Sequence, residues 1–159
     1  MYLRDLKATD RDRLEDLLRR VENFREEDVD VALELVDDRL QHGDRSTYAF
    51  LLAFDDEQER SLLGYACFGP TPMTEHTFDL YWVAVTPEQK GRGIGRQLCA
   101  AVEEAVRNRG GRRIRVETGT RPEYTGTIRF YLRIGYDTVG RIRDFYRDGD
   151  DLLTFVKRV

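Results

Sequence analysis

The chain has 159 residues, of which 40% are hydrophobic and 35% charged, and its formal net charge is −4 at pH 7. This length is typical of one domain, so we expect a single domain over residues 1–159 with one buried core. The acidic balance argues against a nucleic-acid-binding protein, which would usually be basic, and no apolar run approaches the roughly 20 residues that span a bilayer.

The N-terminal segment and the two cysteines bear on where the protein is located. The charged N-terminus does not resemble a signal peptide. Cys67 and Cys99 lie in apolar contexts that are typical of buried, reduced thiols. We therefore expect a cytoplasmic protein with no membrane or nucleic-acid partner.

The first half of the chain predicts a short strand, two helices and three strands. The strand ends near Thr9 or Asp10, either of which could cap a helix. Apolar residues recur at helical spacing over Leu14–Val21 and again over Glu26–Gln41, before a stop at Gly43. The three strands, the first two joined as a hairpin, are predicted at Thr47–Phe54, Leu62–Phe68 and Phe78–Val85.

The second half predicts a helix, a strand, a helix and two strands. The first helix begins near Ile94, carries one apolar stripe and ends at Arg109–Gly111. A strand at Arg113–Thr118 and a short helix at Thr127–Gly135 follow, and the segment RDGD predicts a hairpin turn between the last two strands. The order β-α-α-β-β-β-α-β-α-β-β predicts one α/β domain with a mixed sheet.

A glycine-rich turn precedes the helix at Ile94. A helix start presents unpaired N–H groups and the positive end of the helix dipole, and phosphate binds there when the backbone can approach it. Glycines remove the Cβ atoms that would block this approach, and arginines add charged contacts. The turn therefore predicts a phosphate or pyrophosphate site. Its residues are Gly91, Gly93 and Gly95, with Arg92 and Arg96.

The glycine-rich turn does not match either of two common nucleotide-binding turns. A P-loop ends in Gly-Lys-Ser/Thr, which the segment GIGRQ lacks. A Rossmann turn has the spacing G-x-G-x-x-G directly after a first strand, whereas here the spacing is G-x-G-x-G and three strands come earlier. A nucleotide-binding protein is therefore disfavoured, and a purely structural turn remains the simpler alternative.

The stretch VAVTPEQKGRGIGRQL, from Val83 to Leu98, resembles the acetyl-CoA-binding signature of the GNAT family of N-acetyltransferases. In that family, a strand ending in V-x-P is followed by Q/R-x-x-G-x-G/A at a helix start. Lys90 departs from the usual Gln or Arg. The segment RFYLRIGY resembles the downstream motif of the family, so the motifs cover the chain from about Phe78 to the C-terminus.

The intervening segment ETGTRPEYTGTIRFY resembles a subgroup of the family that carries E-T-S-x-R-x-x-Y. Gly119 stands where that subgroup usually has serine. The N-terminal half of the chain matches the family only in the order of its elements.

The resemblance implies an acetyl-CoA-dependent N-acetyltransferase that moves an acetyl group to a primary amine by direct attack. Acetyl-CoA is the implied cosubstrate, and no metal is implied. The strand backbone would pair with the pantetheine arm, and the glycine turn would hold the pyrophosphate. The implied cofactor-binding residues are Val83, Ala84, Val85, Lys90, Gly91, Arg92, Gly93, Ile94, Gly95, Arg96 and Tyr131.

The resemblance does not single out one set of catalytic residues. By resemblance, Tyr131 is the general acid that protonates the departing thiolate, and its alternative role is packing in an apolar stripe. An amine like that of lysine has a pKa of about 10.4, so its deprotonation needs help. Glu117, Asp79 and Glu75 are candidate bases, and a water chain is a further possibility. A backbone N–H on a distorted strand could stabilise the oxyanion.

The acceptor is left open as a small-molecule or peptide amine. The acidic stretch Glu22–Asp38 either attracts a cationic amine or forms a solvated helix face. The segment with Asp144, Phe145 and Tyr146 is expected to form a hairpin, with closure over the acceptor as the alternative. A non-catalytic acyl-CoA-binding or sensing domain is the alternative function, and homodimers are frequent in the family.

Overall fold

Seven strands and four helices make up the fold in the computed structural model, which describes residues 1–159. Their order is the predicted one, so the predicted fold class is confirmed. The strands are β1 (Tyr2–Arg4), β2 (Ala49–Phe54), β3 (Leu62–Pro70), β4 (Thr77–Val85), β5 (Arg113–Thr118), β6 (Asp137–Arg147) and β7 (Asp150–Arg158). The helices are α1 (Arg11–Arg20), α2 (Glu26–His42), α3 (Ile94–Asn108) and α4 (Thr125–Arg133).

The strands form one sheet in the order β1-β2-β3-β4-β5-β7-β6. All neighbours are antiparallel except β4 and β5, which are parallel. A parallel pair needs a crossover, and α3 supplies it between β4 and β5. The β6–β7 hairpin predicted from RDGD is present, with Gly149 at a positive φ of 76° in its turn.

The apolar residues that we assigned to one core are divided between the two faces of the sheet. One cluster of 17 buried residues lies under α3 and α4, and another of 13 lies under α1 and α2. Alternation along a strand explains the division, because successive side chains point to opposite faces. In β3, Ala66 and Phe68 belong to the first cluster, whereas Tyr65 and Cys67 belong to the second.

The N-terminal strand is shorter than predicted. The carboxylate of Asp10 accepts the N–H of Lys7 at 2.8 Å and pairs with Arg4 at 2.7 Å, which turns the chain before α1. Asp10 stands directly before α1 but does not cap the N–H groups of that helix with its side chain.

Both cysteines are buried and free, as expected, and burial raises the pKa of the Cys99 thiol to about 12. No helix has the length and apolar composition needed to cross a membrane.

Candidate functional site

A cleft opens between β4 and β5, because the two strands pair only at their N-terminal ends. Thr77–Asp79 pairs with Arg113–Arg115, although β4 continues to Val85 and β5 to Thr118. Along the cleft, one edge of β4 has no neighbouring strand. Its backbone N–H and C=O groups are therefore available to an extended ligand.

β4 contains a β-bulge at the wall of this cleft. Leu80 and Trp82 lie opposite consecutive residues of β3, so Tyr81 is an extra residue. Leu80 packs under α3 and α4, and the next residue of β4 to do so is Val83. Tyr81 and Trp82 both pack against the cluster under α1 and α2. The bulge disrupts the regular ladder, which gives the distorted strand expected for an oxyanion donor.

The glycine turn follows the carboxyl end of β4 and leads into α3. Gly91 and Gly93 have φ values of 81° and 83°, a left-handed conformation that favours glycine. The N–H groups of Ile94, Gly95 and Arg96 donate to no acceptor within the chain. Free N–H groups at the positive end of a helix are suited to an anion.

The long side chains of the turn are held only by exposed contacts. Lys90 Nζ lies 3.2 Å from Glu22 Oε2, and both side chains are largely exposed. Arg92 Nη1 donates to Gln89 Oε1 at 3.0 Å. Exposed contacts of this kind contribute little free energy, so both side chains can turn toward a bound anion.

Tyr131 lies on α4 with its ring packed among other aromatic rings. The centroids of Phe130, Tyr136 and Phe155 lie 5.3, 5.3 and 5.9 Å away. The hydroxyls of Tyr65 and Tyr136 are enclosed without a partner, but the Tyr131 hydroxyl is not among these enclosed atoms. Burial raises the pKa of Tyr131, so its hydroxyl stays protonated at neutral pH and can act only as a proton donor.

The structure brings two of the three candidate carboxylates together. Asp79 is 6% exposed and pairs with Arg115 Nε at 2.6 Å, on the last rung before β4 and β5 separate. Glu117 is exposed and lies 3.5 Å from Arg115 Nη1. Glu75 precedes the paired end of β4, outside the cleft, and its side chain is 92% exposed.

Tyr131 and Glu117 lie on opposite sides of the sheet. Ile114 and Val116 of β5 pack in the cluster under α3 and α4, which also contains Tyr131. By strand alternation, Arg115 and Glu117 face the other side. An acid on one side of the cleft and a carboxylate on the other can protonate a leaving group and deprotonate a nucleophile at the same reacting centre.

A cluster near Glu117 was not found by sequence reasoning. Arg121 lies 3.1 Å from Asp150 and over the ring of Tyr124 at 5.5 Å. A Cβ on Gly119 would lie 2.7 Å from Asp150 Oδ1 and 3.1 Å from Tyr124, so a larger residue at this position would displace these side chains. The Arg and Tyr of the motif E-T-S-x-R-x-x-Y were the available signal, but they did not identify Asp150 as the partner.

The β6–β7 hairpin carries a further aromatic residue to this side. Asp144 has a positive φ of 52°, and its N–H donates to Asp151 at 2.8 Å within an irregular part of the hairpin. Tyr146 follows it, and burial together with the charges of Glu117 and Asp150 raises its pKa. The expected hairpin is confirmed, and it also places Tyr146 near Glu117.

Part of the acidic stretch Glu22–Asp38 is engaged elsewhere on the surface. Asp37 pairs with Arg11 at 2.7 Å, and Asp38 accepts a hydrogen bond from Ser46. Asp28 differs, because it is half-buried in the first turn of α2 and its charge contributes to the raised pKa of Tyr124. Burial raises the pKa of Asp28 itself. Of the carboxylates in this stretch, Asp28 is therefore the one that we place near Tyr124.

No group of three or more His, Cys, Asp or Glu side chains is arranged to hold a metal ion.

Comparison with known proteins gives one family. The model of the acetyltransferase (GNAT) family matches residues 11–136. N-alpha-acetyltransferase 30 of Schizosaccharomyces pombe is 30% identical over 74 residues, which are 46% of this chain and 48% of that protein. The match thus spans about half the length of the curated relative.

Solved structures agree over almost the whole chain. A protein from Desulfovibrio desulfuricans, assigned as an acetyltransferase of the GNAT family, is 39% identical, with a TM-score of 0.93 over 99% of this chain and 98% of that one. The PaiA N-acetyltransferase of Thermoplasma acidophilum, in complex with coenzyme A, is 19% identical, with a TM-score of 0.75 over 99% and 98% of the two chains. The second likeness shows the fold alone. The chain belongs to the acetyltransferase (GNAT) family.

Proposed function

We propose that this protein transfers the acetyl group of acetyl-CoA to a primary amine by direct attack of the amine on the thioester. The observation that carries the proposal is the cleft between β4 and β5, which opens beside a helix start with free N–H groups. An extended arm fits the cleft, and a pyrophosphate fits the turn. Acetyl-CoA has both parts.

The backbone of Val83–Val85 would pair with the pantetheine arm along the free edge of β4. The turn from Lys90 to Arg96 would hold the pyrophosphate through its N–H groups, with Arg92 and Arg96 adding charge. This arrangement would place the thioester near the bulge at Tyr81. A backbone N–H released from the ladder there could stabilise the negative charge that develops on the carbonyl oxygen.

Tyr131 is proposed as the general acid. The amine nitrogen bonds to the carbonyl carbon as the carbon–sulfur bond breaks, and Tyr131 gives its proton to the departing sulfur. The phenolate is then reprotonated from water. Burial keeps the phenol neutral until that moment.

Glu117 is proposed as the group that accepts the proton from the amine, directly or through water. Asp79 is the alternative, but its carboxylate is engaged with Arg115 at 2.6 Å. Glu117 lies 3.5 Å from the same guanidinium and is exposed, so it is freer to exchange protons with a bound amine. Asp79 and Arg115 would then hold β4 and β5 together at the point where the two strands separate.

The acceptor is proposed to enter from the side of α1 and α2, where Tyr81, Glu117 and Tyr146 lie. The fission yeast relative is, by its name, an N-alpha-acetyltransferase. A peptide α-amine therefore belongs in the test panel beside lysine, polyamines, aminoglycosides and amino acids.

Thermal shift and CoA release test the proposal together. The protein is expected to be stabilised by acetyl-CoA and CoA but not by ATP, and to release CoA only with certain amines. Stabilisation without CoA release by any amine would instead identify an acyl-CoA-binding or sensing domain. Stabilisation by ATP alone would overturn the proposal.

A further inference from the structure

Asp28, in the first turn of α2, has no cation to neutralise its charge. Its side chain accepts one hydrogen bond, from the backbone N–H of Arg25 at 2.8 Å, and it is half-buried. The other acidic residues of α2 that form no ion pair are exposed, so water stabilises their charges. They are Glu27, Asp30 and Glu34. A partly buried carboxylate without a cation is costly, so a positive charge brought by a ligand would be stabilised beside Asp28.

The start of α2 lies against the strand that forms one wall of the cleft. The rings of Phe24, just before α2, and Trp82, in β4, meet edge to face with their centroids 5.2 Å apart. Trp82 directly follows Tyr81, the extra residue of the bulge. The helix turn that carries Asp28 therefore begins beside the bulge, near which we propose that the thioester is held.

Two tyrosines connect Asp28 with the proposed base, Glu117. A Cβ on Gly119, two residues after Glu117, would lie 3.1 Å from the Tyr124 ring, so this ring lies beside the end of β5. Burial and then the charge of Asp28 raise the pKa of Tyr124. Burial and then nearby charges, those of Glu117 and Asp28 among them, raise the pKa of Tyr146. Aromatic rings attract cations, so these rings and the carboxylate of Asp28 would attract the same charge.

The arginine beside these rings is neutralised within the chain. Arg121 lies over the Tyr124 ring at 5.5 Å, and its side chain is 15% exposed. Its guanidinium lies 3.1 Å from Asp150 and 3.5 Å from Glu123. Arg121 is therefore not free to bind a carboxylate of the acceptor, which disfavours amino acids as acceptors. Because two carboxylates offset its charge, it leaves the negative charge of Asp28 available to a cation.

We infer that Asp28, together with the rings of Tyr124 and Tyr146, binds a second ammonium group of the acceptor, so that the protein prefers diamines to monoamines. The inference rests on the proposed function, because it concerns the amine that attacks the thioester. One amine of the acceptor would lie near Glu117 and lose its proton there. The other would stay protonated and be held by the carboxylate of Asp28. Asp28 is then a specificity-determining residue and takes no part in the chemical step.

The test measures kcat/KM in CoA release for two pairs of acceptors, diaminobutane with butylamine and diaminopentane with pentylamine. Within each pair the chain length is the same, and the diamine adds only the second amine. Two equivalent amines alone give a preference of about twofold. Wild type is expected to prefer the diamine about tenfold in at least one pair, the scale of one charge-assisted contact. This preference should shrink as salt is added, because it comes from a contact between charges.

Asp28→Asn is the test variant, and Asp30→Asn is the matched control. An asparagine at position 28 can still accept the N–H of Arg25, so the start of α2 is retained. Asp30 is exposed, forms no ion pair and lies on the same helix. In Asp28→Asn the preference for diamines should fall to about twofold. The kcat/KM for monoamines, the affinity for acetyl-CoA and the melting temperature should not fall, and Asp30→Asn should retain the preference of wild type.

The outcomes separate the inference from the proposed function. A wild-type preference of about twofold or less in both pairs would overturn the inference and leave the proposed function standing. An equal loss for diamines and monoamines in Asp28→Asn would do the same, because it would indicate a structural role. CoA release only with acceptors outside these pairs would also overturn the inference alone. Absence of CoA release with every amine of the panel would overturn the proposed function itself.

Discussion

Replacing Tyr131 with phenylalanine removes one oxygen and leaves the aromatic packing in place. The ring contacts with Phe130, Tyr136 and Phe155 remain, and no hydrogen bond within the chain is lost. The melting temperature should therefore change by less than about 2 °C. A general acid contributes on the order of 10²–10⁴ in rate, so kcat should fall at least about 100-fold. The KM for acetyl-CoA should stay within about threefold, because the turn and β4 would hold the cofactor.

Tyr136→Phe is the matched control. Its ring lies 5.3 Å from that of Tyr131, and its hydroxyl is enclosed without a partner. Removing an unsatisfied buried hydroxyl should leave kcat unchanged and leave stability equal or higher. The assay is steady-state CoA release with the best amine of the panel. If Tyr131→Phe turned over within threefold of wild type, or if both variants lost kcat equally, the assignment of the acid would be wrong.

The raised pKa of Tyr131 gives this residue a defined pH behaviour. An acid must be protonated to act, and burial moves its pKa above the ordinary value of about 10. The rate should therefore rise with pH as the amine loses its proton. Deprotonation of Tyr131 should cause no decrease in rate up to about pH 10. From the ordinary pKa values of about 10 and 8.5, proton transfer from a tyrosine to a thiolate costs about 2 kcal/mol.

Two further pairs of variants separate chemistry from structure. Glu117→Gln should lower kcat/KM about 100-fold near pH 7, with the loss shrinking toward pH 10 as more free amine is present; a constant loss across pH would contradict its role as base. Asp79→Asn should instead lower the melting temperature, because it weakens a mostly buried pair with Arg115, while kcat falls only a few-fold. Gly95→Ala should raise stability by about 0.5–1 kcal/mol in urea unfolding, because its Cβ would make only ordinary contacts, whereas Gly93→Ala should lower stability by about 1–2 kcal/mol at its positive φ. Equal effects of the two glycine variants would show that the left-handed conformation of Gly93 is not required.

The elements and the turn could be predicted because their signals are local. Gly43 ends α2 and Gly149 turns the last hairpin, each at a positive φ. The start of α3 at Ile94 was predicted from the glycines before it and the apolar stripe after it. Such signals lie within one or two turns of chain, so one sequence contains them.

The acceptor side could not be predicted because its contacts join distant segments. Arg121 pairs with Asp150, which lies almost 30 residues later in the chain. The acidic stretch was visible as a charge pattern, but only packing decides that Asp37 pairs with Arg11 while Asp28 lies near Tyr124. The composition of a segment predicts the sign of its charge, but it does not identify the residues with which these charges pair.

The cleft itself follows from one irregularity in β4. The last rung between β4 and β5 is Asp79 with Arg115, and the extra residue, Tyr81, comes two positions later. A bulge bends its strand and increases the local twist, so it directs the rest of β4 away from β5. The Asp79–Arg115 pair joins the strands just before this bend. In the sequence FDLYWVAV the bulge is hidden, because apolar residues on both faces of a buried strand give no alternation from which a shift of register could be read. The feature that we propose admits the cofactor thus lies in a segment whose pattern predicts only a central strand.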